Sequence, residues 1–476
     1  MNSDLPKLSL FNSLHRQVEE IQTINPGKIS LYTCGPTVYD SSHIGHARSF
    51  IAWDVLVRYL REIGFDTTWV RNITDIDDKI INRAKLLGIE PEKLARIETY
   101  KFWRDMQALN IQWPDHEPKA TENLPQMFDF IQGLIDKEHA YRTENNDVYF
   151  RVKSFNDYGQ LKKLVCPDEV VSRIEHQDCK ESNADFALWK GFAKDEIGFD
   201  SPFGHGRPGW HLECSSMIKR YLGETIDIHG GGEDLVFPHH ENEIAQSEAL
   251  HQKKFANYWI HNGMIMVDGK KMSKSEGNFI TIEKALQSFS GNAIRFFVLS
   301  AHYRQPVNYT EQALEAAQVG INKLLKSVEA FNTDKYPPAP LTGGVKAKRD
   351  SSEKQIFDQA AIDEFHKAMS DDLNTPCALA ILFDLAKRIN KAEENTGILG
   401  NTLAKLLDVL GFNLQEKPLS SQAAVDNKAL YDFLLQQRRE ARELKNFAKA
   451  DQIRILIEQS GYKLKDSPQG TELIPV

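Results

Sequence analysis

Residues 29–48 read ISLYTCGPTVYDSSHIGHAR, and this stretch decides the fold. The apolar, β-branched run Ile29–Cys34 has the character of a strand, GPTVYDSSH supplies turn residues, and helical periodicity then runs from Ile44 to Leu60. A second apolar run, Thr67–Arg71, follows the turn signal at Gly64. Strand, loop, helix and strand form a βαβ unit, which builds a parallel sheet, so an α/β class with a nucleotide-type domain is expected. From about Asp115 to Phe203 the βα rhythm is lost, with the strand-like DVYFRV at 147–152, and this reads as an insertion. The rhythm returns with TIDIHGGG at 225–232, and helical patterns dominate from about Ala293 to Phe331. Residues 334–352 concentrate Pro, Gly and Ser and read as a connection between helices. A second polar break near 413–427 precedes a last unit in which basic residues outnumber acidic ones.

The chain has 476 residues, too many for one core, so several domains are expected. Hydrophobic residues make up 41% and charged residues 26%, ordinary values for a soluble globular protein. No apolar run approaches the roughly 20 residues that span a bilayer, so no membrane association is expected. The opening MNSDLPKLSLFN lacks the basic and apolar segments of a secretory signal, which makes the cytoplasm the expected compartment. Five scattered cysteines, Cys34, Cys166, Cys179, Cys214 and Cys377, do not suggest a disulfide framework. A net charge of −9 argues against a general nucleic-acid coat but leaves room for a local basic face.

Three elements carry chemistry. His43-Ile44-Gly45-His46 sits where the first loop becomes a helix, at the helix's positive end, which attracts phosphate. Gly45 would let an adenine ring approach the backbone, while His43 and His46 can donate hydrogen bonds to a phosphate as charge builds on it. Lys271-Met272-Ser273-Lys274-Ser275, between Gly269 and Gly277, places two lysines on a glycine-flanked loop that can close over a triphosphate. Lys274, assisted by Lys271, would neutralise the departing pyrophosphate. The third element is a set of possible metal ligands: Cys34, Cys214 and the cluster FPHHENE at 237–243. With a helix starting at Pro238, His239 and Glu243 are i,i+4 neighbours and His240 and Glu243 are i,i+3, so spacing alone does not choose between the histidines. Two thiolates, an imidazole and a carboxylate would suit a four-coordinate Zn²⁺.

In order along the chain, YTCGPTVYDSSHIGHAR, VRNITDIDDKI, GRPGWHLECS, DIHGGGEDLVFPHHENEIAQSE and KMSKSEGN resemble the blocks of the cysteinyl-tRNA synthetases, class I aminoacyl-tRNA synthetases. The resemblance extends to LFNSL near the start, SDDLNTPCALAILFDLAKRIN in the helical region and SPQGTEL at the end. It implies zinc held by Cys34, Cys214, His239 and Glu243. It also implies a cysteine pocket bordered by Gly35, Thr74 and Trp210, adenosine contacts from Gly230, Gly231, Gly232 and Asp234, and an ATP contact from Lys274. Three departures stand out: Glu276 follows KMSKS where the family usually has Leu, Phe447 stands in a position that resembles a family tryptophan, and the end reads PQGTEL rather than the commoner PQGTRW.

The expected architecture is a Rossmann catalytic domain split between 1–114 and 204–292, a connective insertion at 115–203, a helical bundle at 293–412 and a C-terminal anticodon-binding unit at 421–476. The expected reaction joins L-cysteine to ATP, with Mg²⁺, to give cysteinyl-adenylate and pyrophosphate. The cysteine then passes to the 2′-OH of the terminal adenosine of cysteine tRNA. Arg438, Arg442, Lys445 and Phe447, on one tail helix, are the candidates for anticodon contact, and a monomer is the expected state. Three rivals are a cysteine ligase acting on a small amine, as in the mycothiol-pathway relatives, a non-catalytic tRNA-binding paralogue and a simple nucleotidyltransferase. The first lacks a full anticodon unit, the second would have lost HIGH or KMSKS, and the third leaves the metal ligands unexplained.

Overall fold

The computed structural model describes residues 7–164, 180–272, 278–329, 357–391 and 396–416, separate positions of a helix between 435 and 457, and the antiparallel strand pair Tyr462–Ser467 and Gly470–Pro475. Lys274, Glu276, Lys445, Cys166, Cys179 and the connection at 334–352 lie outside the described residues.

The expected strand, loop and helix are the strand Lys28–Thr33 and the helix Ile44–Glu62, followed by the strand Asp66–Arg71. With Ile226–Gly232 and Ala256–Asn262 these form a four-stranded, all-parallel sheet. In spatial order the strands run Ala256–Asn262, Ile226–Gly232, Lys28–Thr33, Asp66–Arg71. The chain therefore leaves Lys28–Thr33 towards one edge and returns on its other side at Ile226–Gly232. Such a reversal opens a crevice at the carboxyl ends of the two strands, the usual ligand position in sheets of this kind.

The insertion forms its own antiparallel sheet from Ala140–Arg142, Val148–Phe150, Phe186–Gly191 and Gly206–Pro208, so its last strand lies beyond residue 203. Its core, with Phe130, Phe150 and Trp189, includes Leu212 and Ala245 from the helices Trp210–Tyr221 and Glu241–His251. The insertion thus packs against the backs of two helices that face the crevice.

Helices Gly291–Leu299, Glu311–Val328, Gln359–Ser370, Thr375–Asn390 and Thr396–Val409 make the helical region. One apolar core runs from Leu31 and Ile228 of the sheet through Trp53 and Leu56 to Phe365, Leu382 and Leu407 of these helices. Burial on both sides explains why the helix Ile44–Glu62 is apolar nearly all round. Its polar exceptions are paired. Asp54, fully buried, accepts from Arg58 Nε (2.9 Å), lies 2.7 Å from Arg295 Nη1 and takes the Gln112 amide (2.8 Å). Tyr59 donates to the His366 carbonyl (3.1 Å) and lies 2.8 Å from the Ser370 hydroxyl.

Candidate active site and metal centre

The helix Ile44–Glu62 begins with reciprocal caps. The His46 amide donates to His43 Nδ1 (3.3 Å) and the His43 amide donates to His46 Nδ1 (3.2 Å), with the rings stacked 3.8 Å apart. A ring nitrogen that accepts cannot hold the proton, so both neutral imidazoles carry N–H at Nε2, the form that can donate to phosphate. A Cβ at Gly45 would meet the His43 ring at 2.8 Å, so the stacked pair needs glycine there. The segment beyond the KMSKS loop returns to this cap: the Ile44 amide donates to the Ile280 carbonyl (3.0 Å), the Ile282 amide to the Ser42 carbonyl (3.0 Å), and Phe279 meets His43 edge-on. Lys271 ends a short strand, Lys270–Lys271, paired with Met266 and Val267.

The candidate metal ligands converge on the crevice. Cys34 follows the strand Lys28–Thr33, Cys214 lies in the helix Trp210–Tyr221, and Glu243 lies in the first turn of Glu241–His251. As the proline suggests, helical backbone resumes at Pro238 after the extended Phe237 and runs through His239 and His240 into Glu241–His251. His239 and His240 both reach the cluster. His239 Nε2 is 3.0 Å from Glu243 Oε1 and 3.6 Å from Cys214 Sγ, while His240 Nε2 is 3.3 Å from Cys34 Sγ, which lies 3.9 Å from Glu243. Zinc bonds of 2.0–2.3 Å place tetrahedral donors about 3.3–3.8 Å apart, so the spacing suits this ion. Donor atoms of Cys34, His239, His240 and Glu243 all lie within 4.8 Å of one another.

Charge in the cluster is arranged by burial and neighbours. Burial opposes ionisation of Glu243, but His229 and His239 outweigh it and hold the carboxyl at about 2. Burial lowers His239, yet Glu243 and Cys214 raise it to about 10. Burial, then Cys214, pushes the Cys34 thiol well up, whereas Cys214, opposed by burial, is brought to about 6 by Cys34 and His239. Burial and the surrounding imidazoles hold His240 well below its ordinary value. Histidines absent from the sequence reading orient these rings: His211 lies 2.9 Å from His239 Nδ1, His261 2.8 Å from His240 Nδ1, and His229 2.9 Å from Glu243. A histidine within an apolar strand end, as in DIHGGG and YWIHN, was the available signal.

Beside the cluster, Trp210 stacks on His239 at 4.2 Å. Thr74 donates to buried Glu213 (2.7 Å) and accepts from the Asn72 side chain (3.2 Å), whose oxygen takes the Gly35 amide (2.8 Å). A Cβ at Gly35 would lie 1.6 Å from the Asn72 carbonyl oxygen, so only glycine fits. Gly230 and Gly231 end their strand under Trp53 and His240, where a Cβ would come within 3.1 and 2.5 Å of those rings. Asp234, exposed, follows Gly232. In the tail, Arg442 and Phe447 are exposed but Arg438 is only 7% exposed, which takes it off the open face that helical spacing assigns it with Arg442.

The tRNA synthetases class I (C) catalytic domain family matches residues 20–319, and the DALR domain family residues 364–415. The cysteine–tRNA ligase of Legionella pneumophila (strain Paris) is 46% identical over 468 residues, 98% of each chain. The chain belongs to the cysteine–tRNA ligase family. Within it, the ligase of Geobacter metallireducens is 42% identical over 485 residues, covering 98% of this chain and 99% of that one. The fold is shared with a methionyl-tRNA synthetase of Mycobacterium tuberculosis solved with methionyl-adenylate, at TM-score 0.55 and 17% identity over 80% of this chain and 89% of that one.

Proposed function

We propose that the chain performs the reaction for which its family is named, charging cysteine tRNA through cysteinyl-adenylate, as a cytoplasmic monomer. One observation carries this reading. The thiol, imidazoles and carboxylate of Cys34, His239, His240 and Glu243 meet at the sheet's reversal, with Cys214 against His239, one loop from the stacked His43–His46 pair. Bound zinc, held by Cys34, Cys214, His239 and Glu243, supplies a soft Lewis acid that a substrate thiolate prefers to the hydroxyl of serine.

The protein's own residues bind and orient. Gly35, Thr74 and Trp210 border the cysteine, with Glu213 fixing the Thr74 hydroxyl. The substrate carboxylate attacks the α-phosphorus of Mg²⁺-ATP and pyrophosphate leaves. The Nε2 protons of His43 and His46 stabilise the phosphate oxygens, and Lys271 and Lys274 neutralise the leaving group. Gly45, Gly230, Gly231, Gly232 and Asp234 line the adenosine side. The 2′-OH of the terminal adenosine then attacks the adenylate carbonyl and releases AMP. No side chain acts as a nucleophile, so catalysis is positioning and electrostatics. Residues 421–476 engage the anticodon through Arg442, Lys445 and Phe447, with Arg438 supporting the helix from within.

Cysteine-dependent pyrophosphate exchange, followed by charging of cysteine tRNA, tests the reading. Exchange with cysteine and negligible exchange with serine are expected. Exchange without tRNA charging by the full chain would favour the small-amine ligase instead.

A further inference from the structure

Between the helices Gln359–Ser370 and Thr375–Asn390 the chain passes through Asp372 and Leu373, both with φ of +53°, a left-handed conformation that side-chain-bearing residues rarely adopt. Such backbone persists only where its surroundings over-determine it. Here the turn delivers the Asp372 carboxylate into a buried junction. Its Oδ1 accepts from the Phe11 amide (2.9 Å) and the Tyr303 hydroxyl (2.7 Å), and its Oδ2 accepts from Arg304 Nε (2.7 Å).

The loop that Asp372 grips, His302–Gln305, is held from its other side by Arg48. This guanidinium, 1% exposed, donates from Nη2 to the carbonyls of His302, Tyr303 and Gln305 (2.7, 2.9 and 2.9 Å) and from Nη1 to Val298 (2.7 Å). Arg48 stands two residues after His46 on the same helix. The loop also receives the Gly263 amide at the Tyr303 carbonyl (2.9 Å) and then becomes the strand Val307–Tyr309. That strand pairs in parallel with Ile265–Val267, which pairs in turn with Lys270–Lys271 at the base of the KMSKS loop. Asn308 adds a side-chain bond from the Gly269 amide (2.8 Å). One loop therefore touches the helical region, the HIGH helix and the KMSKS arm.

We infer that Asp372 is a positioning residue for adenylate formation: by fixing the strut His302–Gln305 it sets, through Arg48 and the strand Val307–Tyr309, the separation of the HIGH helix and the KMSKS arm. This rests on the synthetase reading above. The two motifs act on one triphosphate from opposite sides, so a change in their separation slows the step in which pyrophosphate departs while the cysteine pocket, on other elements, keeps its affinity.

The experiment combines Asp372→Asn, Arg48→Lys and the double variant, with cysteine-dependent pyrophosphate exchange and hydrogen exchange as readouts. Asp372→Asn is expected to lower kcat about ten-fold or more, since misplacement by about 1 Å costs of the order of a hundred-fold, with KM for cysteine and zinc content unchanged. The double variant is expected to be no worse than the poorer single one, because both residues act on the same loop. Amides of Ile265–Val267 should exchange faster in Asp372→Asn. If that variant does not fold, Tyr303→Phe, which removes only the hydroxyl on Oδ1, should give a smaller fall in kcat with the same unchanged KM. Unchanged kcat per folded molecule, or additive losses in the double variant, would overturn the inference. A wild type without exchange activity would refute the synthetase reading instead, and hydrogen exchange would still report on the strut.

Discussion

Gly231→Ala separates two reasons for that residue to be glycine. The family resemblance assigns Gly231 to the adenosine side, but the structure places a Cβ there 2.5 Å from His240 Cε1, 2.9 Å from its Nε2 and 3.1 Å from Leu235. Carbon atoms in favourable contact lie about 3.5–4.0 Å apart, so the imidazole must retreat by about 1 Å. It is not free to do so. His261 holds its Nδ1 at 2.8 Å and is itself 2.7 Å from the Ser13 hydroxyl, and Cys34 Sγ lies 3.3 Å from its Nε2. Overpacking of a held side chain costs about 1–3 kcal/mol, and a displacement of about 1 Å beside a reacting group costs of the order of a hundred-fold in rate. Gly231→Ala is therefore expected to lower kcat/KM for cysteine about 10- to 100-fold in pyrophosphate exchange, with KM for ATP changed less than about two-fold. A rise in KM for ATP with cysteine parameters intact would refute this reasoning and leave Gly231 as an adenosine contact alone.

Asp54→Asn removes the carboxylate between two buried guanidiniums, a loss of about 3–5 kcal/mol that should appear as a clearly lower unfolding midpoint in thermal or denaturant melts. Because the Asp54 carboxyl is held below its ordinary value by Arg58 and Arg295 against burial, its contribution is present at neutral pH and should be lost as pH falls through its lowered folded-state pKa. Zinc affinity, measured by competition with a chelator, should fall as pH drops below about 10, where His239 takes up its proton, and more steeply below about 6, where the Cys214 thiolate does. Lys274→Ala should slow pyrophosphate exchange at least ten-fold while leaving cysteine binding, measured calorimetrically, unchanged.

The sheet was legible because Ile29–Cys34, the turn and Ile44–Leu60 each keep one period, and the observed strand and helix fall within two residues of that reading. The crevice was legible only as a list. Local spacing read only the i,i+4 pair His239 and Glu243, which lie 3.0 Å apart; the other ligands come from separate elements. Spacing could not decide between His239 and His240, since at i,i+4 and i,i+3 both neighbour Glu243 on a helix. Both rings reach the cluster, His239 beside Glu243 and Cys214 and His240 beside Cys34. Glu213 was invisible for another reason: in GWHLECS it reads as an ordinary helical surface residue, and only the packing of the helix against Thr74 makes it a buried carboxyl whose proton burial retains. Arg438 shows the same limit, because a helical wheel groups residues by face without saying which face is covered.

The core shared by the sheet and the helical region bears on how the chain is made. Tyr59, bonded to His366 and Ser370, packs towards helices that end at Val409, about 350 residues after the helix Ile44–Glu62 begins to leave the ribosome. At roughly 5–20 residues per second, that apolar face waits on the order of tens of seconds for its partner. A nascent chain halted near residue 330 should therefore be cut by protease within Ile44–Glu62 and bind hydrophobic-surface chaperones, whereas one extended past residue 416 should do neither.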